Sequence, residues 1–166
     1  MKATLAGGCF WCLEAVYAQI EGITNIKPGY IKGTKETAKY ELVCSGKTEH
    51  VEAVQFEFDE NKISYQKILE IYFKIHDPTS YQKQGNDLGK QYSAIIFYHN
   101  ANQKEVAKKE LEKQKKLTKK TIYTTLEPSQ EFFEAEKYHF NYYQNNKENP
   151  YCIYVIKPKI EKIKKV

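Results

Sequence analysis

The stretch ATLAGGCFWCLEAV, residues 3–16, constrains the fold more than any other part of the sequence. An apolar run is followed by two glycines and then by apolar residues at helical spacing, which predicts a short strand, a tight turn and a helix beginning near Cys9. The N–H groups and positive dipole end at a helix start stabilise an anion. We therefore predict a thiolate at Cys9, with Gly7 and Gly8 permitting unusual backbone angles and leaving room for a substrate to approach the sulfur.

The order of elements further along the chain predicts an α+β fold. An extended segment from residue 23, an alternating strand AVQFEFD, a helix SYQKILEIYFKIH capped by Ser64 and a strand YSAIIFYHN follow in turn. The order strand, helix, strand, strand, helix, strand is typical of the two-layer ferredoxin-like arrangement, a split βαβ unit whose helices cover one face of an antiparallel sheet.

Extra C-terminal elements are expected beyond this core. They are a lysine-rich helix, a strand TIYTTL, an aromatic-rich helix at residues 129–146 and a coil tail at about residues 149–166, which has two prolines and no clear amphipathic period. A length of 166 residues with 41% hydrophobic composition fits one domain, so we expect residues 1–166 to fold as a single unit with the tail wrapped over it.

Composition narrows the classes of function. The formal charge of +5 comes entirely from lysine, and a chain without arginine is a poor candidate for a nucleic-acid reader. No apolar run is long enough for a membrane span or a secretory signal, so we expect no membrane partner. Four cysteines without an export signal predict a cytoplasmic protein whose thiols are reduced and used for chemistry.

The C-x-x-C formed by Cys9 and Cys12 has three interpretations. It is a thioredoxin-like redox motif, half of a zinc site, or a nucleophile with a nearby resolving thiol. Zinc would need further ligands from Cys44, His50 and Cys152, whose spacing is not finger-like, and we expect no metal. A thiol-disulfide oxidoreductase and a small zinc-binding interaction module remain the alternatives to the third interpretation.

Two further polar clusters are ambiguous by themselves. Glu52 precedes an alternating strand, where a carboxyl near an aromatic cleft would have a raised pKa and act as an acid, although an ordinary exposed glutamate also fits. Asp87 and Tyr92 lie in a loop, where polar residues often have a functional role. The preference of residues such as aspartate for turns also explains the composition of this loop without a functional role.

The combination of motifs resembles the A-type peptide methionine sulfoxide reductases. GCFW, KYELVCSGKTEHVEAV, HDPT followed by QGNDLGKQYSAI, AEKYHFNYY and NPYCIYVIKPK occur in that family's order over about residues 3–165. The resemblance implies an α+β ferredoxin-like fold and reduction of the S-epimer of methionine sulfoxide, free or in proteins. It makes Cys9 the nucleophile and Glu52 the acid. Tyr40 and Tyr92 would donate hydrogen bonds to the sulfoxide oxygen with support from Asp87, and Phe10 and Trp11 would enclose the substrate methyl group.

The resemblance also implies how the enzyme is recycled. Attack converts Cys9 to a sulfenic acid, which a second thiol turns into a disulfide that thioredoxin reduces, and no cofactor is implied. Cys152 matches the family's C-terminal resolving cysteine. Cys12 stands where glycine is usual in the family and is a nearer candidate for the resolving thiol. A relay through both Cys12 and Cys152 is a third alternative. We expect Cys152 to act first, because a disulfide between residues i and i+3 distorts the helical turn that it bridges, and we expect the protein to be a monomer.

Overall fold

The computed structural model describes residues 1–164 and shows an α+β architecture. Its strands are β1 (Lys2–Ala6), β2 (Ile23–Ile31), β3 (Val51–Phe58), β4 (Lys83–Gln84), β5 (Asp87–Leu88), β6 (Ile95–Tyr98), β7 (Thr125–Pro128) and β8 (Phe132–Glu134). Its helices are α1 (Phe10–Tyr17), α2 (Tyr40–Cys44), α3 (Tyr65–Ile75), α4 (Ala101–Thr118), α5 (Tyr142–Asn145) and α6 (Lys157–Lys164), with shorter helical turns between them. The predicted α+β class is confirmed.

A mixed sheet of six strands lies at the centre of the described chain, in the order β7-β6-β1-β3-β2-β8. β1 is antiparallel to both of its neighbours, with Ala3 opposite Phe56 of β3 and Thr4 opposite Phe97 of β6, while β6 and β7 run parallel. Because β1 is a central strand, the turn that carries Cys9 leaves from the middle of the sheet.

The main core lies between the sheet and its helices. α1 packs against β2 and β3, and its side chains Phe10, Leu13, Val16 and Tyr17 are all buried. This spacing confirms the predicted helix, which ends at Tyr17. α3 also begins as predicted.

The cap of α3 shows why that helix begins where it does. The Ser64 hydroxyl accepts a hydrogen bond from the backbone N–H of Lys67 at 3.1 Å. A serine in this position satisfies one of the free N–H groups of the first turn, which fixes the start of the helix.

The C-terminal segment is helical, so the predicted coil tail is wrong. A π-helical turn, Cys152–Ile156, continues directly into α6, and residues 165–166 lie outside the described residues. Pro158 lies just after the junction of the π-helical turn with α6, inside a continuous helical segment. Ile156 and Ile160, one turn apart, are buried where α6 contacts α1 and α3. The stability of this helix comes from packing on the domain, which the local pattern did not reveal.

The predicted helix at residues 129–146 is also wrong. The segment divides into β8, a 3₁₀ turn (Lys137–His139) and the short helix α5. Ile31 of β2 pairs with Phe132, so the free edge of β2 recruits the aromatic residues as a strand. Asn141 then adopts a left-handed conformation with φ of 53°, which a continuous helix does not allow. Tertiary pairing overrides the local preference of this segment.

Candidate active site

The turn between β1 and α1 sets the position of Cys9. Gly8 has φ of +86°, and a Cβ on it would lie 2.9 Å from the Cβ of Gln84, while a Cβ on Gly7 would lie 3.0 Å from the Tyr72 ring. Glycine is therefore required by both backbone conformation and close packing. The space at the two glycines is filled by Gln84 and Tyr72, so the expectation that it admits a substrate is wrong.

Cys9 is the N-cap residue of α1, and its side chain is only 7% exposed. Burial raises the pKa of the Cys9 thiol well above its usual value, and its interaction with Cys12 and the nearby Glu52 carboxyl raise that pKa further. The backbone N–H of Phe10, at the mouth of the helix, is directed to Glu52. The thiolate expected from the helix start is thus not favoured here, and Cys9 rests as a thiol.

Cys12 is the more acidic of the two neighbouring thiols. Its interaction with Cys9 lowers the pKa of Cys12 to about 7 against the opposing effect of burial, with help from the Lys159 ammonium on α6. The Tyr151 hydroxyl lies 3.4 Å from the Cys12 sulfur and lowers the same pKa. Of the two neighbouring thiols, Cys12 therefore has the greater thiolate character.

Glu52 projects from β3 and is 2% exposed. Burial raises the pKa of its carboxyl well above the usual value, and the negative charges of Asp87 and Cys12 act in the same direction. One of its oxygens, Oε2, is buried without a hydrogen-bond partner among the described residues. Glu52 is thus a neutral carboxylic acid beside Cys9, with an oxygen free to serve a bound group.

Tyr40 and Tyr92 reach the same region from different elements. Tyr40 is the first residue of α2, and Tyr92 is the last residue of a 3₁₀ turn, Lys90–Tyr92. The backbone carbonyl of Tyr92 accepts a hydrogen bond from the Gly8 N–H at 3.2 Å. Burial is the main cause that raises the pKa of both hydroxyls. Both hydroxyls remain protonated and lie within electrostatic reach of Cys9.

Asp87 is linked to a residue that sequence reasoning did not assign. Its Oδ2 accepts a hydrogen bond from the Tyr151 hydroxyl at 2.6 Å, and that same hydroxyl lies beside Cys12. Through these contacts, Tyr151 connects the C-terminal helical segment to Asp87 and to the region of Cys9 and Cys12. The NPYC motif contains this tyrosine, but no local feature of the motif shows what its hydroxyl contacts.

The aromatic residues beside Cys9 have different environments. Phe10 is fully buried against Tyr30 and His139, with ring centroids 5.7 and 4.9 Å away. Trp11 is half-buried, stacks on Tyr142 with centroids 3.6 Å apart and planes within 4°, and donates its Nε1–H to His139 Nδ1 at 3.0 Å. Trp11 is therefore the more accessible of the two residues expected to enclose a methyl group. His139 and Tyr142 were not singled out from the sequence.

The other two cysteines differ in accessibility. Cys152 is fully buried in the π-helical turn, where burial and the charge of Cys12 raise its pKa. Cys44 is exposed at the end of α2. All four cysteines are free thiols in the described chain. Cys12 influences the pKa of both Cys9 and Cys152.

Over residues 1–164, no three histidine, cysteine or acidic side chains are grouped so as to hold a metal ion. Within the same residues, no helix combines the length and apolar character needed to cross a membrane.

Comparison with known proteins decides the family. A family model described as peptide methionine sulfoxide reductase matches residues 1–166, the entire chain. This chain belongs to that family. The resemblance seen in its motifs is confirmed, and the protein is a peptide methionine sulfoxide reductase of the A type.

The individual relatives agree with this assignment. The peptide methionine sulfoxide reductase MsrA of Saccharolobus solfataricus is 49% identical over 164 residues, covering 99% of this chain and 93% of the relative. The crystal structure of Mxr1 from Saccharomyces cerevisiae in reduced form is 33% identical, with a TM-score of 0.84 over 92% of this chain and 89% of that one. The same yeast protein in complex with Trx2 is 25% identical, with a TM-score of 0.59 over 84% of each chain.

Proposed function

We propose that this reductase converts the S-epimer of methionine sulfoxide, free and in proteins, to methionine through Cys9 and Glu52. The observation that supports this proposal most directly is that the buried Cys9 thiol lies beside the buried, neutral carboxylic acid of Glu52, whose Oε2 has no hydrogen-bond partner in the described chain. A sulfoxide becomes an adequate electrophile only when its oxygen is protonated or strongly hydrogen-bonded. A thiol and an acid on the same S=O group meet that requirement.

The first step moves one oxygen atom. The Cys9 sulfur attacks the sulfoxide while Cys12, with a pKa of about 7, takes the Cys9 proton, and Glu52 gives its proton to the oxygen. Tyr40 and Tyr92 stabilise the charge that develops on that oxygen. The oxygen passes to Cys9, so methionine sulfoxide is reduced by two electrons to methionine and Cys9 is oxidised to a sulfenic acid.

Cys12 is better placed than Cys152 to resolve this sulfenic acid. Cys9 is the N-cap of α1, with extended backbone angles (φ of −67° and ψ of 128°), so a Cys9–Cys12 disulfide would not bridge residues inside a helical turn. The Cys12 sulfur attacks the Cys9 sulfur, and hydroxide leaves as water with the Cys12 proton. The Cys152 sulfur then attacks the Cys12 sulfur of this disulfide, which forms a Cys12–Cys152 disulfide and releases Cys9 as a thiol for the next cycle. The order proposed from the contacts is thus Cys9, Cys12, Cys152.

A thioredoxin-type dithiol protein is the proposed reductant. The yeast relative has been crystallised in complex with Trx2, and reduction of a final Cys12–Cys152 disulfide needs an external dithiol. Cys9 is only 7% exposed and Tyr151 covers the pair, so we propose that the C-terminal segment moves aside when a substrate or reductant enters. A reducing compartment, the cytoplasm, suits this cycle.

The remaining proposals concern architecture. The four central strands β6-β1-β3-β2, with α1 following β1 and α3 following β3, have the order of the split βαβ unit, which supports a ferredoxin-like core. We propose one domain over residues 1–166 that acts as a monomer.

The test is turnover of a methionine sulfoxide peptide with thioredoxin and thioredoxin reductase. Cys9→Ser should form no methionine, and Cys152→Ser should form one equivalent and stop with a Cys9–Cys12 disulfide, seen as a loss of two hydrogens by mass spectrometry. Cys44→Ser, at the exposed cysteine, is the matched control and should behave as wild type. Full turnover by Cys9→Ser would refute the proposed nucleophile.

A further inference from the structure

A buried acidic residue next to the active site has no part in the chemistry described above. Glu14 lies on α1 and is 4% exposed. Its Oε1 accepts a hydrogen bond from the backbone N–H of Asn141 at 3.0 Å, and the backbone N–H of Tyr142 is directed to the same carboxyl. Burying a carboxyl is unfavourable unless specific partners satisfy it. The partners here are backbone groups of one short segment.

The segment that Glu14 contacts lacks a cap of its own. α5 begins at Tyr142, and its N-cap residue Asn141 is left-handed and makes no side-chain capping bond. The first N–H groups of a helix need acceptors from outside the helix. Glu14 supplies them from α1, so one helix of the domain caps another.

The capped segment also makes the contacts that hold Trp11. His139 accepts the Trp11 Nε1–H at 3.0 Å, and the Tyr142 ring stacks on the indole with centroids 3.6 Å apart. The hydrogen bonds that Glu14 accepts attach this segment to α1, the same helix that carries Trp11. Two sets of contacts thus join α1 to the same few residues, and together they fix both the plane and the edge of the indole.

We propose that Glu14 is a positioning residue for the substrate pocket. By capping α5 it holds His139 and Tyr142 against Trp11, and the indole then forms a fixed wall for the methyl group of methionine sulfoxide. This inference rests on the proposed function. Without Glu14 the wall loosens and substrate binds more weakly, while Cys9 and Glu52, which carry the chemical step, stay in place.

Trp11 makes the proposal measurable, since it is the single tryptophan of the chain. In Glu14→Ala we expect the emission of Trp11 to shift to the red as the indole loses Tyr142. We expect KM for a methionine sulfoxide peptide to rise about tenfold, the effect of losing one hydrogen bond to a buried carboxyl, with kcat within about twofold of wild type. Glu14→Gln keeps one acceptor and should show both changes to a smaller extent.

The matched control is Glu110→Ala, which removes another buried glutamate. Glu110 is also 4% exposed, but it lies on α4, where it accepts from the Gln114 side chain at 2.9 Å. It should leave Trp11 emission and KM unchanged even if thermal stability falls.

Several outcomes would overturn the positioning role. These are unchanged emission and KM in Glu14→Ala, a lower KM, which would make Tyr142 a lid, or equal effects in Glu110→Ala. If Glu14→Ala does not fold, unchanged emission and KM in Glu14→Gln are decisive against the role. If wild type lacked sulfoxide reduction, the proposed function would fail, whereas the emission readout would still test the contact itself.

Discussion

Replacing Glu52 with glutamine removes the acid and little else. The amide has nearly the same shape and keeps an oxygen that can accept the Phe10 N–H, so the start of α1 should be preserved. At the position of the free Oε2, however, an NH₂ group replaces an O–H that can give up its proton. The substitution therefore separates proton donation from hydrogen bonding.

The expected loss follows from what remains in the site. General acid catalysis contributes about 10²- to 10⁴-fold, equivalent to roughly 3–5 kcal/mol of barrier. Tyr40 and Tyr92 stay protonated, and in the proposed mechanism they would still donate to the sulfoxide oxygen, so we expect a loss toward the lower end, about 10²- to 10³-fold.

The assay is a single turnover, in which reduced enzyme is mixed with excess methionine sulfoxide peptide and methionine is quantified over time. This isolates oxygen transfer from disulfide recycling. The control is Glu57→Gln, an exposed glutamate on the same strand, β3, which should react at the wild-type rate. A Glu52→Gln rate within threefold of wild type would refute the acid role. A thiol-disulfide oxidoreductase would be insensitive to the same change and would act on disulfide substrates.

The pH dependence of stability gives a second test of the same residue. Because burial raises the pKa of Glu52 in the folded state, its stabilising contribution is present below the unfolded pKa and is lost as pH rises through the folded pKa. Glu52→Gln should therefore gain stability relative to wild type as pH increases, measured by urea unfolding. A difference that stays constant with pH would show that Glu52 is ionised in the fold.

Three further predictions follow from the neighbouring contacts. In Cys12→Ser the Cys9 sulfenic acid should persist, and labelling by dimedone in more than half of the chains after one turnover would establish it; rapid loss without label would favour Cys152 as first resolver. In Tyr151→Phe the pKa of Cys12 should rise above about 7, because the Tyr151 hydroxyl, 3.4 Å from the Cys12 sulfur, lowers that pKa in the wild-type protein. The pH profile of iodoacetamide alkylation measures this, and an unchanged or lower midpoint would contradict it. Burial raises the pKa of Glu14 from 4.5 to about 7, so the contribution of Glu14 to stability is lost as pH rises through this range. At 1.36 kcal/mol per pH unit, the free energy of unfolding of Glu14→Gln should gain about 3 kcal/mol over that of wild type between pH 4 and pH 8, measured by urea unfolding. A difference that does not change with pH would contradict the raised pKa.

Local patterns were sufficient for the strands and helices that form the centre of the fold. The alternation in β3 and the helical spacing of Phe10, Leu13 and Val16 each report which side chains face the core, because burial selects apolar residues at the period of the element. The Ser64 cap is equally local. The helix predicted at residues 129–146 was wrong because the conformation of this segment depends on pairing with the free edge of β2, about one hundred residues away in the chain.

Motifs and short-range spacing were enough to predict the family, the element order of the central sheet and the position of Cys9 at the start of a helix. The protonation of the thiols could be read only from the folded protein. Burial raises the pKa of Cys9, whereas the interaction with Cys9 lowers the pKa of Cys12 against the effect of burial, and Tyr151 and Lys159 reach Cys12 from a segment whose sequence pattern predicted coil. Protonation depends on how much water, charge and hydrogen bonding surround a group, and these surroundings come from residues distant in sequence.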